Sequence, residues 1–234
     1  MDKIVHEGSL DIEYAKKRET MKSKELQKTF WERDNLNKRR KPSHPVIRAF
    51  AESKITEIEK NSDLLEVGAS NGFFSFYLEN ICKLTATDYS RKMIELNPAK
   101  NKRVMDASNI GFEDNSFDIV FESNLLHHVV DIGRVILEMK RVSKKYLVFI
   151  EPNRNNPLMF LFGLLKKVER NSLKFSLRYM RHLATNEGLE IVSSITMGLV
   201  LPNKTPSWLL PILKKIDGKF QLWFYNIVIA EKLN

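Results

Sequence analysis

The segment Asp63-Leu-Leu-Glu-Val-Gly-Ala-Ser-Asn-Gly-Phe-Phe-Ser75 puts a carboxylate, Glu66, two residues before Gly68, with Gly72 four residues further on. Gly68 permits a tight turn, and Gly72 lets a following helix begin close to a ligand. Free N–H groups at that helix start favour a carboxylate. Glu66 favours a cation nearby. A ligand carrying both an ammonium and a carboxylate satisfies the two together. The glycine spacing does not suit the common nucleotide loops. A dinucleotide fingerprint needs G-x-G-x-x-G, but Ser70 and Phe73 stand at its second and third positions. A phosphate-cradling loop needs G-K-[ST], which is absent.

These residues need strand ends to hold them. Short apolar runs at Leu64–Val67, Lys83–Thr87, Arg103–Met105, Phe117–Phe121 and Tyr146–Ile150 read as strands. They alternate with helical patterns at Gly72–Ile81, Ser90–Leu96 and Ile132–Val142. Such alternation predicts an α/β fold, a mostly parallel sheet with helices on both faces. Leu189–Val200 and Phe220–Ala230 are expected to pair as an antiparallel hairpin at the sheet edge. Ligands of open α/β sheets bind outside the carboxyl ends of the strands. Asp88 ends the second strand, twenty residues after Gly68, where a carboxylate can accept both hydroxyls of a ribose. Asp106 ends the third, where it can accept an adenine amino group. The ammonium and carboxylate that suit the first loop are those of the methionine end of S-adenosylmethionine.

To these are added Gly111-Phe-Glu-Asp-Asn-Ser-Phe-Asp-Ile-Val120 and, after the fourth strand, Leu125-Leu-His-His-Val129. The set resembles the class I S-adenosylmethionine-dependent methyltransferases, in particular the broad family that contains the ubiquinone/menaquinone methyltransferases. The likeness covers about Leu64–Ile150. The sequence departs from the family in Ser70, where the middle glycine is usual, and in Gly111, where leucine is usual. The resemblance implies a Rossmann-like sheet of seven strands with the last antiparallel. It also implies a cofactor site of Glu66, Gly68, Ala69, Ser70, Gly72, Asp88, Tyr89, Asp106, Ala107 and Asn124. No metal is expected.

Methyl transfer is an in-line displacement, so the protein mainly aligns the acceptor and removes its proton where needed. His127 and His128 suit the second task near neutral pH. Adjacent helical residues face different ways, so at most one should point into the site. Glu151, at the rim after the fifth strand, could bind a polar group of the acceptor; the alternative is that its segment, Glu151-Pro-Asn-Arg-Asn-Asn-Pro157, is simply a loop of turn formers. Asp118 is expected to brace the loop before the fourth strand rather than touch ligand, and Cys82 to pack in the core.

The chain has 234 residues, 43% hydrophobic and 29% charged, enough for one domain with a substantial core. Its one cysteine excludes an internal disulfide and a cysteine-based metal site, and fits a reducing cytoplasm. Formal charge is +9, and Lys16–Lys41 alone carries eleven Lys and Arg against four acids. That run is either a surface for phosphate, nucleic acid or anionic lipid, or a solvated helix face. Residues 1–60 are expected to form a helical extension, where Tyr14, Phe30 and Trp31 could fold over the cofactor as a lid. Residues 61–234 form the cofactor-binding domain, with cap insertions at about 155–187 and 201–218. Within them Leu158–Leu165 and Trp208–Leu213 are apolar and are followed by paired lysines, which suits a small or amphiphilic acceptor and peripheral membrane contact. A nucleic-acid methyltransferase is the alternative, though the [ND]-P-P-[YF] motif of amino-methylating enzymes is replaced by Glu122-Ser-Asn-Leu125. A nucleotide-dependent oxidoreductase and a non-catalytic partner subunit are the readings from other classes.

Overall fold

The computed structural model describes residues 58–200, 205–217 and 222–233, together with Met21, Lys24, Glu25, Lys28 and Pro45. Most of the expected N-terminal extension, including Tyr14, Phe30 and Trp31 and most of the basic run, lies outside the described residues. So do 201–204 and 218 of the second insertion.

The strands are β1 (Asp63–Val67), β2 (Lys83–Asp88), β3 (Lys102–Val104), β4 (Phe117–Ser123), β5 (Ser143–Pro152), β6 (Leu189–Met197) and β7 (Tyr225–Lys232). They form one sheet in the order β3-β2-β1-β4-β5-β7-β6. The pairs from β3 across to β5 are parallel. β7 runs antiparallel to both β5 and β6. The expected edge hairpin is therefore present, with β7 threaded between β5 and β6. The helices are α1 (Ser75–Leu78), α2 (Arg91–Leu96), α3 (Ile132–Val142), α4 (Pro157–Leu165), α5 (Leu177–Asn186) and α6 (Leu210–Ile216). Short 3-10 segments cover Leu126–His128, Lys167–Lys174 and Ser207–Leu209. No helix among the described residues is long and apolar enough to cross a membrane.

Strand periodicity sorts the core into two layers. On one face Leu64, Ala86, Phe121 and Ile150 pack with Phe74, Leu78 and Ile94. On the other Leu65, Val67, Val120, Leu147 and Phe149 pack with Val135, Ile136, Met139 and Met180. Cys82 is buried in the first layer, and its Sγ lies 3.1 Å from the carbonyl of Leu78. Helix ends follow local chemistry. Ser90 caps α2 by accepting from the N–H of Met93 at 3.2 Å, and Asp131 caps α3 through the N–H of Arg134 at 2.9 Å. Asp118 accepts from the N–H of Asp63 and from Lys144, both at 2.9 Å, so it ties together the starts of β1, β4 and β5. A cleft of about 560 Å³ at that end of the sheet, lined by Lys60, Asp118, Lys144 and Lys232 among others, lies away from the carboxyl ends of the strands.

Candidate cofactor and acceptor site

After β1 the backbone turns sharply. Gly68 and Gly72 hold φ of +72° and +87°, and Ser70 between them holds +50°. All three are left-handed conformations, which cost a residue with a Cβ roughly 1–2 kcal/mol. Ser70 therefore adopts the conformation that the expected middle glycine would adopt. A Cβ on Gly68 would lie 2.9 Å from Leu125, and one on Gly72 would lie 2.1 Å from Pro98. Gly72 is thus required by its packing on Pro98 as well as by the turn. Asn97, buried just past the helix expected over Ser90–Leu96, donates to the carbonyl of Ser70 at 3.2 Å and to Ser75 Oγ at 2.9 Å. It braces the loop from below, and nothing local in the sequence signals that.

Glu66 sits two residues from Leu64 and shares its face. Its carboxyl is buried and accepts from Ser75 Oγ at 2.5 Å. Burial pushes its pKa up to about 8, with the Ser75 bond pulling the other way. A direct ammonium contact from the open side of the loop needs this group to be uncovered.

Asp88, at the tip of β2, is half-buried. One of its oxygens accepts from the N–H of Ser70 and the other from that of Ser90, both at 2.8 Å. Beside it, Tyr89 is exposed. At the end of β3, Asp106 accepts from Ser108 N–H at 2.9 Å and Ser108 Oγ at 2.7 Å, and Lys24 donates to its other oxygen. Burial opposes ionisation of Asp106, but the bonds from Lys24 and Ser108 outweigh it and hold the carboxyl below its usual range. Lys24 Nζ also lies 3.1 Å from Ser108 Oγ and 5.7 Å from the centre of the Tyr89 ring. Ala107 packs against the second core layer. Asn124, just past β4, has φ of +56° and donates its N–H to the carbonyl of Ile150 at 2.7 Å. The loop, Asp88, Asp106 and Asn124 therefore stand at the carboxyl ends of four neighbouring strands.

His127 and Glu151 come together, but both are fully buried. His127 Nδ1 bonds Glu151, and its Nε2 lies 3.1 Å from Glu169. The other Glu151 oxygen accepts from the N–H of Leu126 at 2.6 Å. With a carboxylate on each ring nitrogen, His127 donates from both, as an imidazolium does. Burial alone would depress its pKa, but the Glu151 and Glu169 carboxylates overcome this and raise it to about 9. Glu122 accepts from the N–H groups of Leu125 (3.0 Å) and Ile150 (3.1 Å). Burial, with the Glu151 charge beside it, holds Glu122 well above the usual carboxyl range. His128, its ring 3.8 Å from that of His127, is partly exposed as a residue, but both its ring nitrogens are buried and it bonds the backbone of Val168; burial and the neighbouring imidazolium keep its pKa well below normal. Donor atoms of His127, His128 and Glu169 lie within 4.8 Å of one another. A divalent ion could bridge that spacing, but both nitrogens of His127 are already engaged by carboxylates. Sequence reasoning missed Glu122 and Glu169: Glu122 acquires its role only when β4 pairs with β5, and Glu169 only when the cap folds back on His127.

Asn153 and Asn156 tie the cap to the sheet. Asn153 Nδ2 donates to the carbonyl of Trp223 at 2.9 Å, and Asn156 Nδ2 to that of Leu222 at 2.7 Å. Asn156 also caps α4, its Oδ1 accepting from the N–H groups of Leu158 and Met159 at 3.0 Å, with Pro157 opening the helix.

Residues 65–149 match the family model described as a methyltransferase domain. A phosphatidylethanolamine N-methyltransferase of Cereibacter sphaeroides is 33% identical over 92 residues, 35% of this chain and 45% of that protein. A Rickettsia prowazekii protein assigned to the methyltransferases is 29% identical over 97 residues, 40% of this chain and 43% of that one. The matched stretches thus span less than half the length of these curated relatives. A SAM-dependent methyltransferase structure from Thermotoga maritima superposes with a TM-score of 0.67 at 19% identity, covering 80% of this chain and 92% of that one. Magnesium protoporphyrin IX methyltransferase from Synechocystis, solved with bound S-adenosylhomocysteine, gives 0.55 at 12% identity, covering 80% and 82%. The chain has the Rossmann-like methyltransferase fold.

Proposed function

We propose that the chain is an S-adenosylmethionine-dependent methyltransferase acting on a small or amphiphilic acceptor. The observation that carries this reading is the row of acceptor groups at adjoining strand tips. Gly68, Ser70 and Gly72 make a left-handed turn whose Ser70 N–H meets Asp88, with Asp106 one strand further out. This donor and acceptor set suits the cofactor. Gly68, Ala69, Ser70 and Gly72 would line its amino-acid end, with Glu66 beneath. Asp88 would take the ribose hydroxyls, and Tyr89, Asp106 and Ala107 the adenine. Asn124 would border the reacting methyl. The cofactor supplies a methyl group on a sulfonium, open to in-line attack by an acceptor lone pair, with the thioether as leaving group.

In this reading His127 and Glu151 act on position. They lock the Leu126–His128 turn against β5 and the cap, which fixes Asn124 at the carboxyl end of β4. His128, its pKa held well below normal and both ring nitrogens buried, does not reach an acceptor in this conformation either, so the reading rests on alignment of the acceptor rather than on a histidine base. Lys24 shares Asp106 with the expected adenine amino group, so the cofactor and this lysine compete for one carboxylate. The amphiphilic acceptor is suggested by the apolar cap, and the Cereibacter sphaeroides relative is named for a lipid substrate.

Calorimetry tests the cofactor assignment. S-adenosylhomocysteine should bind at micromolar affinity, and a hundredfold excess over its Kd should stabilise the fold by about 2.7 kcal/mol. Binding of NAD in its place would end this reading. A nucleic-acid acceptor remains as a second reading because of the basic Lys16–Lys41 run. It requires acceptor affinity to fall steeply with salt. Affinity that is nearly independent of salt supports burial of an apolar acceptor instead.

A further inference from the structure

Helix α4 is apolar along its whole length, Pro-Leu-Met-Phe-Leu-Phe-Gly-Leu-Leu. Leu158, Phe160, Leu161, Phe162, Leu164 and Leu165 are all exposed, Leu165 at 72%. At 100° per residue these six cover an arc of roughly 200°. The covered side is narrow: Gly163 packs against Ser172 and Leu173 of the following segment, where any Cβ would come within 2.7 Å of Ser172 Oγ. A helix docked in a protein groove needs a stripe about 100° wide. An apolar surface twice that width matches a medium that surrounds the helix. Its flank is cationic: Lys166, Lys167, Arg170 and Lys174 are exposed, while the one acid of that stretch, Glu169, is buried against His127. Leu222, whose carbonyl receives the Asn156 cap bond, adds a further exposed apolar side chain.

We infer that α4 and its lysine shoulder are a docking surface for an anionic lipid bilayer, with α4 inserted at the headgroup–acyl boundary and Lys166, Lys167, Arg170 and Lys174 on lipid phosphates. Apolar insertion joined to basic residues is how interfacial helices hold a membrane. The cap that carries α4 is pinned over the carboxyl ends of β4 and β5 by the His127–Glu169 bond and by Asn153 and Asn156. A docked α4 therefore sets the carboxyl end of the sheet, where the proposed cofactor site lies, against the membrane. This deepens the amphiphilic-acceptor reading and rests on it for its purpose.

The test is co-sedimentation of the full chain with vesicles of phosphatidylcholine alone or mixed with phosphatidylglycerol. The chain should sediment with the mixed vesicles and much less with the neutral ones. Leu161→Glu with Leu165→Glu, both at exposed positions, should lower the partition coefficient at least about tenfold. Lys166→Ala with Lys167→Ala should lower it about thirtyfold on anionic vesicles. Sedimentation velocity on the same proteins covers the competing occupant. A dimer that the Leu161/Leu165 variant disperses, without vesicle binding by the parent, would overturn the proposal in favour of a second copy. Equal binding to both vesicle types, or undiminished binding by the Leu161/Leu165 variant, would also overturn it. S-adenosylhomocysteine calorimetry on each variant separates the two readings: intact cofactor binding without vesicle binding removes the docking site alone, and lost cofactor binding by the parent removes the methyltransferase reading alone.

Discussion

Asp88 holds the first loop by accepting from two backbone N–H groups, those of Ser70 and Ser90. Asp88→Asn keeps the size and removes the charge, and it leaves one oxygen where two backbone N–H groups, those of Ser70 and Ser90, now donate. Loss of charge-assisted bonds to a ribose should weaken S-adenosylhomocysteine binding by roughly tenfold to a hundredfold, read by calorimetry. Unchanged affinity in a folded variant would mean that the ribose lies elsewhere. The two small residues of the loop should behave in opposite ways. Gly72→Ala must place a Cβ against Pro98 at φ of +87°, and should destabilise by more than about 2 kcal/mol in chemical denaturation. Ser70→Gly relieves a left-handed non-glycine residue and should leave stability unchanged or raise it by about 1 kcal/mol.

At the scale of elements, the 3-10 turn Leu126–His128 and the segment Lys167–Lys174 are joined through one buried imidazolium between two carboxylates. Such a bond costs little while both partners remain, and much when one is removed. Glu169→Gln should lower the midpoint of unfolding, at a cost of about 1–3 kcal/mol, and speed amide exchange in 167–174 more than in the sheet. Uniform exchange throughout would show that the bond does not pin the cap. The Asn156 cap is a smaller term: Asn156→Ala should cost about 1 kcal/mol.

For the whole molecule, buried ionisable groups give stability a definite pH dependence. His127 has a folded pKa raised to about 9 from 6.5, so its stabilisation is complete below about pH 6.5 and is lost as pH rises to about 9. Glu66 acts in the same direction for a different reason. Its folded pKa is raised to about 8 from 4.5, so the unfolded chain gives up this proton first, and stability falls from about pH 4.5 to 8. The melting temperature should therefore fall steadily from pH 6.5 to 9. Glu66→Gln should flatten the curve below pH 8 and raise stability at pH 8 relative to the parent. A melting temperature that rises over this range would contradict both assignments.

Much of this was legible in the residues alone. Short apolar runs alternating with helical patterns dictate a mostly parallel sheet, and such a sheet dictates that Gly68, Asp88, Asp106 and Asn124 share one end. Those relations are short-range, set by alternation of side chains and by turns that only glycine or a small residue tolerates. Tertiary packing alone decided the rest. The threading of β7 between β5 and β6 depends on pairing between segments far apart in the chain. Glu66 became a covered carboxyl because Ser75 and the α1 side of the sheet close over it. Asn97 became a brace for the loop, and Glu169 the partner of His127, only once α2 and the cap had packed. His127 and Glu151 were legible as chemically capable groups. Their burial, which favours a positional role over the proton transfer expected of His127 and the acceptor contact expected of Glu151, is a property of what folds over them, and a linear sequence does not encode that coverage locally.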